Sequence, residues 1–334
     1  MVRSDFIMEV RGYLVNPAER RLRAPWRLLV WVFLAGFSLV LLTGLFGVVP
    51  TPGPGLGRTL YSVAEMTWAF FALAVAGLGV GYLLDRRTLA DYGLGLDGQW
   101  WRDAVFGLAL GFGLPTLVLV GQLAAGLTVV TGVLPTSPSA TFAFGSAGPV
   151  LRLALLVPFF VVQASAEEII FRGYLLTNLA EGAVGSVGKA AAVGMATVVT
   201  AGLFGLVHWT NPNATLLSLT NIMLYGILLG GCYVLTGRLA IACGFHVAWN
   251  YALSVLNFPV SGLDAGVALV ATETSGPDIV TGGAFGPEGG LVALPLLAVG
   301  GVALAWWVRR EYGSVEIVEQ VVTPALRIPT RGGQ

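Results

Sequence analysis

Charge is what this sequence has least of. Only 11% of its 334 residues are Asp, Glu, Lys or Arg, and the 18 basic and 18 acidic side chains cancel. No basic stripe interrupts the apolar runs, so nucleic-acid binding has no electrostatic footing. The two cysteines, Cys232 and Cys243, lie in apolar segments without CxxC spacing. That excludes a disulfide framework and a thiolate metal site, and leaves them as small buried packing residues. Histidine is as rare, with two in the chain. What fills the sequence instead is hydrocarbon: 56% of the residues are hydrophobic and the mean hydropathy is +0.81. Such a chain is a polytopic membrane protein, to be counted in spans of about 20 residues each.

The apolar runs predict an all-α bundle of about eight transmembrane helices, near 26–49, 59–84, 104–132, 149–177, 189–210, 215–236, 239–258 and 291–308. We read residues 1–334 as one integral membrane domain with a helical core at 149–258 and polar tails at 1–25 and 309–334. The charged first 25 residues do not resemble a cleavable signal peptide. With eight spans, the arginines before span one and after spans two, six and eight fall on one side, together with Lys189, and the other side keeps only Arg58 and Arg152. The positive-inside rule then makes both termini cytoplasmic. The segment 85–103 (DRRTLADYGLGLDGQWWRD) reads as interfacial, and 259–290 as a Gly-rich acidic outer loop. Gly107 with Gly111, and Gly226 with Gly230, are spaced for close helix approach, a packing role.

Against this background the stretch SAEEIIFRGYLL (165–176) stands out, because it puts two carboxylates and an arginine inside an apolar span. A charge at the centre of a membrane helix costs about 2.5–3.5 kcal/mol on insertion scales, so each needs a partner or a task. Glu168 and Arg172 are four apart, acid first, the favourable order for an intrahelical pair. Glu167 lies about 100° around the helix and is not neutralised by that pair. His208 (FGLVHWTN) and His246 (GFHVAWNYAL) fall in or at the ends of two other spans, and Asn250 shares a face with His246. Two carboxylates, two imidazoles and an amide from three helices are the inventory for activating water and stabilising an oxyanion. The bland reading is an ion cluster and interhelical hydrogen bonds. Gln163 reads either as an orienter of Glu167 or as helix glue; Trp209 and Trp249 read as cleft walls or interface anchors.

EEIIFR (167–172), FGLVH (204–208) and HVAWN (246–250) resemble, in order and spacing, the EExxxR, FxxxH and HxxxN motifs of the CPBP intramembrane proteases. That family includes the type II CAAX prenyl endopeptidases and bacteriocin self-immunity proteins. The resemblance implies that Glu167 activates water with help from His208, that His246 and Asn250 bind the oxyanion, and that Glu168 and Arg172 support them. It also implies a peptide or protein substrate, prenylated at its C-terminus in CAAX-type members and entering from the membrane lipid.

Several alternatives stay open at this level. Glu167, His208 and His246 are also a conceivable ligand set for a divalent metal such as zinc, although no HExxH pair occurs. A non-catalytic scaffold or peptide-binding self-immunity protein, and an ion- or proton-coupled transporter, are the competing functions. The transporter would call for repeated halves, and none is evident. Straight helices would leave His208 roughly 10 Å from Glu167 and His246 along the membrane normal, at about 1.5 Å per residue.

Overall fold

The structure is a computed structural model that describes residues 12–17, 19–53, 55–137, 144 and 147–327. The tails predicted at 1–25 and 309–334 therefore lie partly outside the described residues. The architecture is a mostly helical polytopic bundle: α1 (Ala24–Phe46), α2 (Leu56–Leu84), α3 (Gly98–Ala124), α4 (Pro149–Val187), α5 (Lys189–Val207), α6 (Leu216–Thr236), α7 (Ala240–Val255) and α8 (Ala293–Tyr312). Seven of these are long and apolar enough to cross a membrane. The exception is α7, 16 residues long, where a span at 239–258 was expected. Leu29, Phe33, Val40 and Val302 are exposed on helix surfaces, a face that suits hydrocarbon rather than water.

Local sequence explains the boundaries. Asp97 caps α3 by accepting from the Trp100 amide, and Thr215 and Ser218 form a reciprocal capping box at the start of α6. Gly237, left-handed at φ 67°, ends α6 and makes the tight turn into α7. The run expected to stay helical to 132 does not. Helix α3 stops at Ala124, Gly126 turns at φ 68°, and the β-branched TVVTGV becomes strand Thr128–Val133, antiparallel to Val270–Thr274.

The short α7 sits deepest, and glycine is what lets it. A Cβ on Gly107 would stand 2.4 Å from Ile241 O, one on Gly111 2.2 Å from Phe245 O, and one on Gly244 2.4 Å from Ala104 O. Backbone therefore meets backbone between α3 and α7, the close approach that small residues permit in membrane bundles. Gly226 and Gly230 do the same for α6 against Ala201 and Thr197 of α5.

Part of the segment expected to be interfacial packs inward. Arg87 is fully buried and pairs with Asp91 and with Glu181 (2.9 Å), Tyr92 is buried under α2 and α4, and Trp100 donates to Gly93 O, whereas Leu89, Leu96 and Trp101 are exposed. Arg21 and Arg27 join the same network through Glu181, at 2.8 and 3.0 Å. The chain's other end reaches it when the Ala325 amide donates to Asp91 at 2.7 Å. The described parts of both terminal segments thus meet in one hydrogen-bonded network.

Candidate active site

Helix α4 carries the charged motif, and it is not a uniform α-helix. Residues Ile169–Leu176 form a π-helical segment immediately after Glu168. Such segments widen a helix by one residue per turn and recur at functional sites. Glu168 and Arg172 still pair at 2.8 Å, as the four-residue spacing predicts, and both are buried. Arg172 also donates to Gly226 O at 3.3 Å and lies over the Phe204 ring, 4.4 Å from its centroid. Glu168 is the hub: the same Oε1 accepts from Arg172 and from His246 Nδ1, the latter at 2.8 Å. A carboxylate can only accept there, so the imidazole carries its proton on Nδ1, and Nε2 points the other way.

Nε2 of His246 lies 3.8 Å from Glu167 Oε2. That is too long for a direct hydrogen bond. Glu167 is held at its other oxygen, Oε1, by Gln163 Nε2 at 2.6 Å, while Oε2 is buried with no hydrogen-bond partner. Gln163 in turn accepts from Asn250 Nδ2 at 3.0 Å. Residues 250, 163 and 167 are therefore one chain of amide and carboxylate contacts, and the second N–H of Asn250 stays free for another acceptor. Gln163 meets both of its readings: it donates to Glu167 within α4 and accepts from Asn250 of α7, a bond between helices.

His208 is the C-cap of α5 rather than a mid-helix residue. Its Nδ1 lies 2.7 Å from Phe204 O, which makes Nδ1 the donor and leaves the lone pair on Nε2. Phe204 touches both imidazoles edge-on, at 5.0 Å from His208 and 5.9 Å from His246 between ring centroids. The offset in depth expected from straight helices is spanned by one cavity of about 490 Å³, lined by Glu167, His208, His246, Asn250 and Gln163. It extends from the charged pair to the outer loops because two loops fold over it. Asn211 donates to Ser261 O at 2.9 Å, and Asn221 holds the backbone carbonyls of Glu288 and Gly290. Most of the wall is aromatic and aliphatic, including Phe70, Phe159, Phe160 and Trp249. Trp249 is cleft wall, as one of its two readings had it, whereas Trp209 is exposed.

The metal alternative fares poorly on donor geometry. Among the described residues no three His, Cys, Asp or Glu side chains are grouped to hold an ion. Both histidine Nδ1 atoms are committed to protein acceptors, and Glu168, the carboxylate nearest His246, is consumed by Arg172. Each imidazole thereby keeps Nε2 as its remaining donor position, and Glu167, His208 and His246 are not drawn together as an ion-binding group. Cys232 and Cys243 are buried and free. Two contributors to the cavity escaped the sequence reading. Glu288 is one of the acids of the 259–290 loop and Tyr225 lies unmarked in an apolar span; no local spacing singles out either.

Fold and site together define a polytopic membrane helix bundle with a set of polar side chains lining a cavity between its helices. Residues 149–252 match the family model of the type II CAAX prenyl endopeptidase, Rce1-like. The family resemblance carried by the three motifs is thus borne out over the helical core. The chain is 30% identical over 125 residues to Uncharacterized protein YyaK of Bacillus subtilis (strain 168), a match covering 36% of this chain and 38% of that protein. No solved structure matches the chain.

Proposed function

We propose that this protein is an intramembrane endopeptidase in which Glu167 activates water against a peptide bond held in the cavity. The observation that carries this reading is Glu167 Oε2: buried, without a hydrogen-bond partner, and 3.8 Å from His246 Nε2 on the wall of the cavity. A buried unsatisfied carboxylate oxygen is costly unless it has a task, and accepting a proton from water is such a task.

Water bound to Glu167 Oε2 gives that oxygen its proton as the water oxygen attacks the scissile carbonyl carbon. The resulting oxyanion takes hydrogen bonds from the free N–H of Asn250 and from His246 in its doubly protonated form, in which Nε2–H faces the cavity. Such donors contribute about 3–4 kcal/mol each to transition-state stabilisation. Collapse breaks the C–N bond, and the proton held on Glu167 passes to the leaving nitrogen, with His208 Nε2 as the second base beside the path. Glu168, itself held by Arg172, accepts from Nδ1–H of His246 and keeps Nε2–H turned to the cavity, and Gln163 fixes the carboxylate plane of Glu167. No step needs a metal. The substrate enters from the lipid between helices; a C-terminal prenyl chain is the occupant that CAAX-type relatives suggest for the apolar wall. The basic side of the bundle, where both terminal segments lie, faces the cytoplasm.

The test is cleavage of prenylated and unprenylated peptides by purified protein in liposomes, with wild type and Glu167→Gln. Loss of cleavage in a variant that keeps its melting temperature, with no effect of a chelator, supports the reading. Cleavage by Glu167→Gln at the wild-type rate refutes it, and a chelator-sensitive wild type refutes the metal-free route.

A further inference from the structure

The end of the cavity away from the Glu168–Arg172 pair contains a second polar pole that the hydrolysis does not use. Glu288, 6% exposed, lines the cavity from the loop that closes it. Three donors converge on its carboxylate: Trp249 Nε1 at 2.9 Å on Oε1, and the Ser261 amide (2.6 Å) and hydroxyl (2.8 Å) on Oε2. Those are neutral donors. Among the described residues lining the cavity there is no lysine or arginine, and His246 faces Glu168 and Glu167 rather than Glu288. Beside it Tyr225, 5% exposed, has a hydroxyl with no hydrogen-bond partner. The Tyr225 and Trp249 rings meet edge-on at 4.5 Å, and Trp249 stacks on Phe245 at 5.6 Å, so the carboxylate is framed by aromatic walls.

A buried carboxylate without a counter-ion, in an aromatic frame, with an idle phenol next to it, is the chemistry that recognises an ammonium or guanidinium group. The carboxylate supplies charge, the rings supply cation–π attraction, and Oε1 has a lone pair left after the Trp249 bond. With Glu167 as the other acid, the cavity lining holds two carboxylates and no Arg or Lys, which disfavours an anionic occupant at either end. We propose that Glu288, Tyr225 and Trp249 form a cation-binding subsite, and that the peptide segment cut at Glu167 places a lysine or arginine side chain in it. This rests on the peptidase reading above. The competing role for Glu288 is a clamp that only ties Ser261 and Trp249 together.

The experiment uses one apolar peptide in which a single residue, scanned along the sequence, is lysine, norleucine or glutamate. Binding of the fluorescent peptides to full-length protein carrying Glu167→Gln is read by anisotropy in non-ionic detergent, and cleavage is read with Glu167 intact. At one scanned position lysine binds at least about tenfold tighter than norleucine, the scale of a charge-assisted hydrogen bond, and glutamate binds weakest. Adding Glu288→Gln brings the lysine-to-norleucine ratio within about twofold, and Tyr225→Phe lowers it about threefold. The subsite is overturned if no position favours lysine, or if the preference survives Glu288→Gln in protein that keeps its melting temperature. Should Glu288→Gln fail to fold, the ratio in Tyr225→Phe decides alone, and an unchanged ratio overturns the subsite. A lysine preference in binding without cleavage of any peptide overturns the peptidase and leaves the subsite standing; cleavage without lysine preference does the reverse.

Discussion

Breaking the ion pair beneath His246 should cost more than the pair is worth. Glu168 and Arg172 are 0% and 1% exposed, and each holds more than the other: Glu168 fixes His246 Nδ1, and Arg172 reaches Gly226 O and the Phe204 face. Glu168 Oε2 has no partner, so both of its bonds are on one oxygen and removing Arg172 leaves only the imidazole. Taking away one member of a buried pair strands the other's charge, at about 3–5 kcal/mol. Removing both charges strands neither. Glu168→Gln and Arg172→Met are therefore each expected to lose about 3–5 kcal/mol, and the double variant about the same amount, not the sum. Equilibrium unfolding in mixed micelles measures all three corners against wild type. Single-variant losses that add to within about 0.5 kcal/mol in the double variant would show that the two charges do not depend on one another, and the reasoning would fail.

Gln163→Leu, nearly isosteric, frees the Glu167 carboxylate from its 2.6 Å donor and is expected to lower kcat by about 10–100-fold with KM little changed, the cost of a misplaced base; an unchanged kcat would leave Gln163 as helix glue alone. Gly111→Val drives a branched side chain into Phe245 O, 2.2 Å from where its Cβ must sit, so α3 and α7 must part, and a loss of at least about 1–3 kcal/mol is expected in a melting or denaturant assay. Asp97 lies outside the spans and accepts from Arg238 at 2.6 and 2.9 Å; that hydrogen bond first, then the Trp100 amide, holds its carboxyl below the ordinary 3.8. A depressed folded value adds stability that is complete above 3.8 and is lost as pH falls through the folded value. The advantage of wild type over Asp97→Asn, which keeps a capping side chain, should accordingly be flat near neutrality, shrink only below that point and weaken in high salt. A difference that grows on acidification would contradict the sign.

Legibility followed the range of the interaction. The Glu168–Arg172 pair needs only a four-residue spacing, and it is visible in the string EEIIFR even though the helix turns π-like across it. The three motifs carried the family resemblance without any coordinates, because each is local to one helix. Trp249 showed two faces in the sequence, and Gln163 two roles; both answers depended on residues more than 35 positions away, Glu288 and Asn250. The strand at Thr128–Val133 was hidden inside an apolar run because hydropathy does not separate a strand from a helix end, and its partner lies some 140 residues on.

By itself the sequence determined that the chain lives in hydrocarbon, that its polar groups must be enclosed, and which helix carries the buried charge pair. Composition and helical period decide those matters one segment at a time. Only the tertiary structure decided that His208 shares a cavity with Glu167 and His246, that Arg87 and Tyr92 of segment 85–103 are buried, and that Glu288 of the 259–290 loop lines the cavity. The reason is physical. A buried carboxylate is tolerated or not according to which donors surround it, and those donors come from elements that meet only once glycine surfaces let α3 close on α7 and α6 on α5.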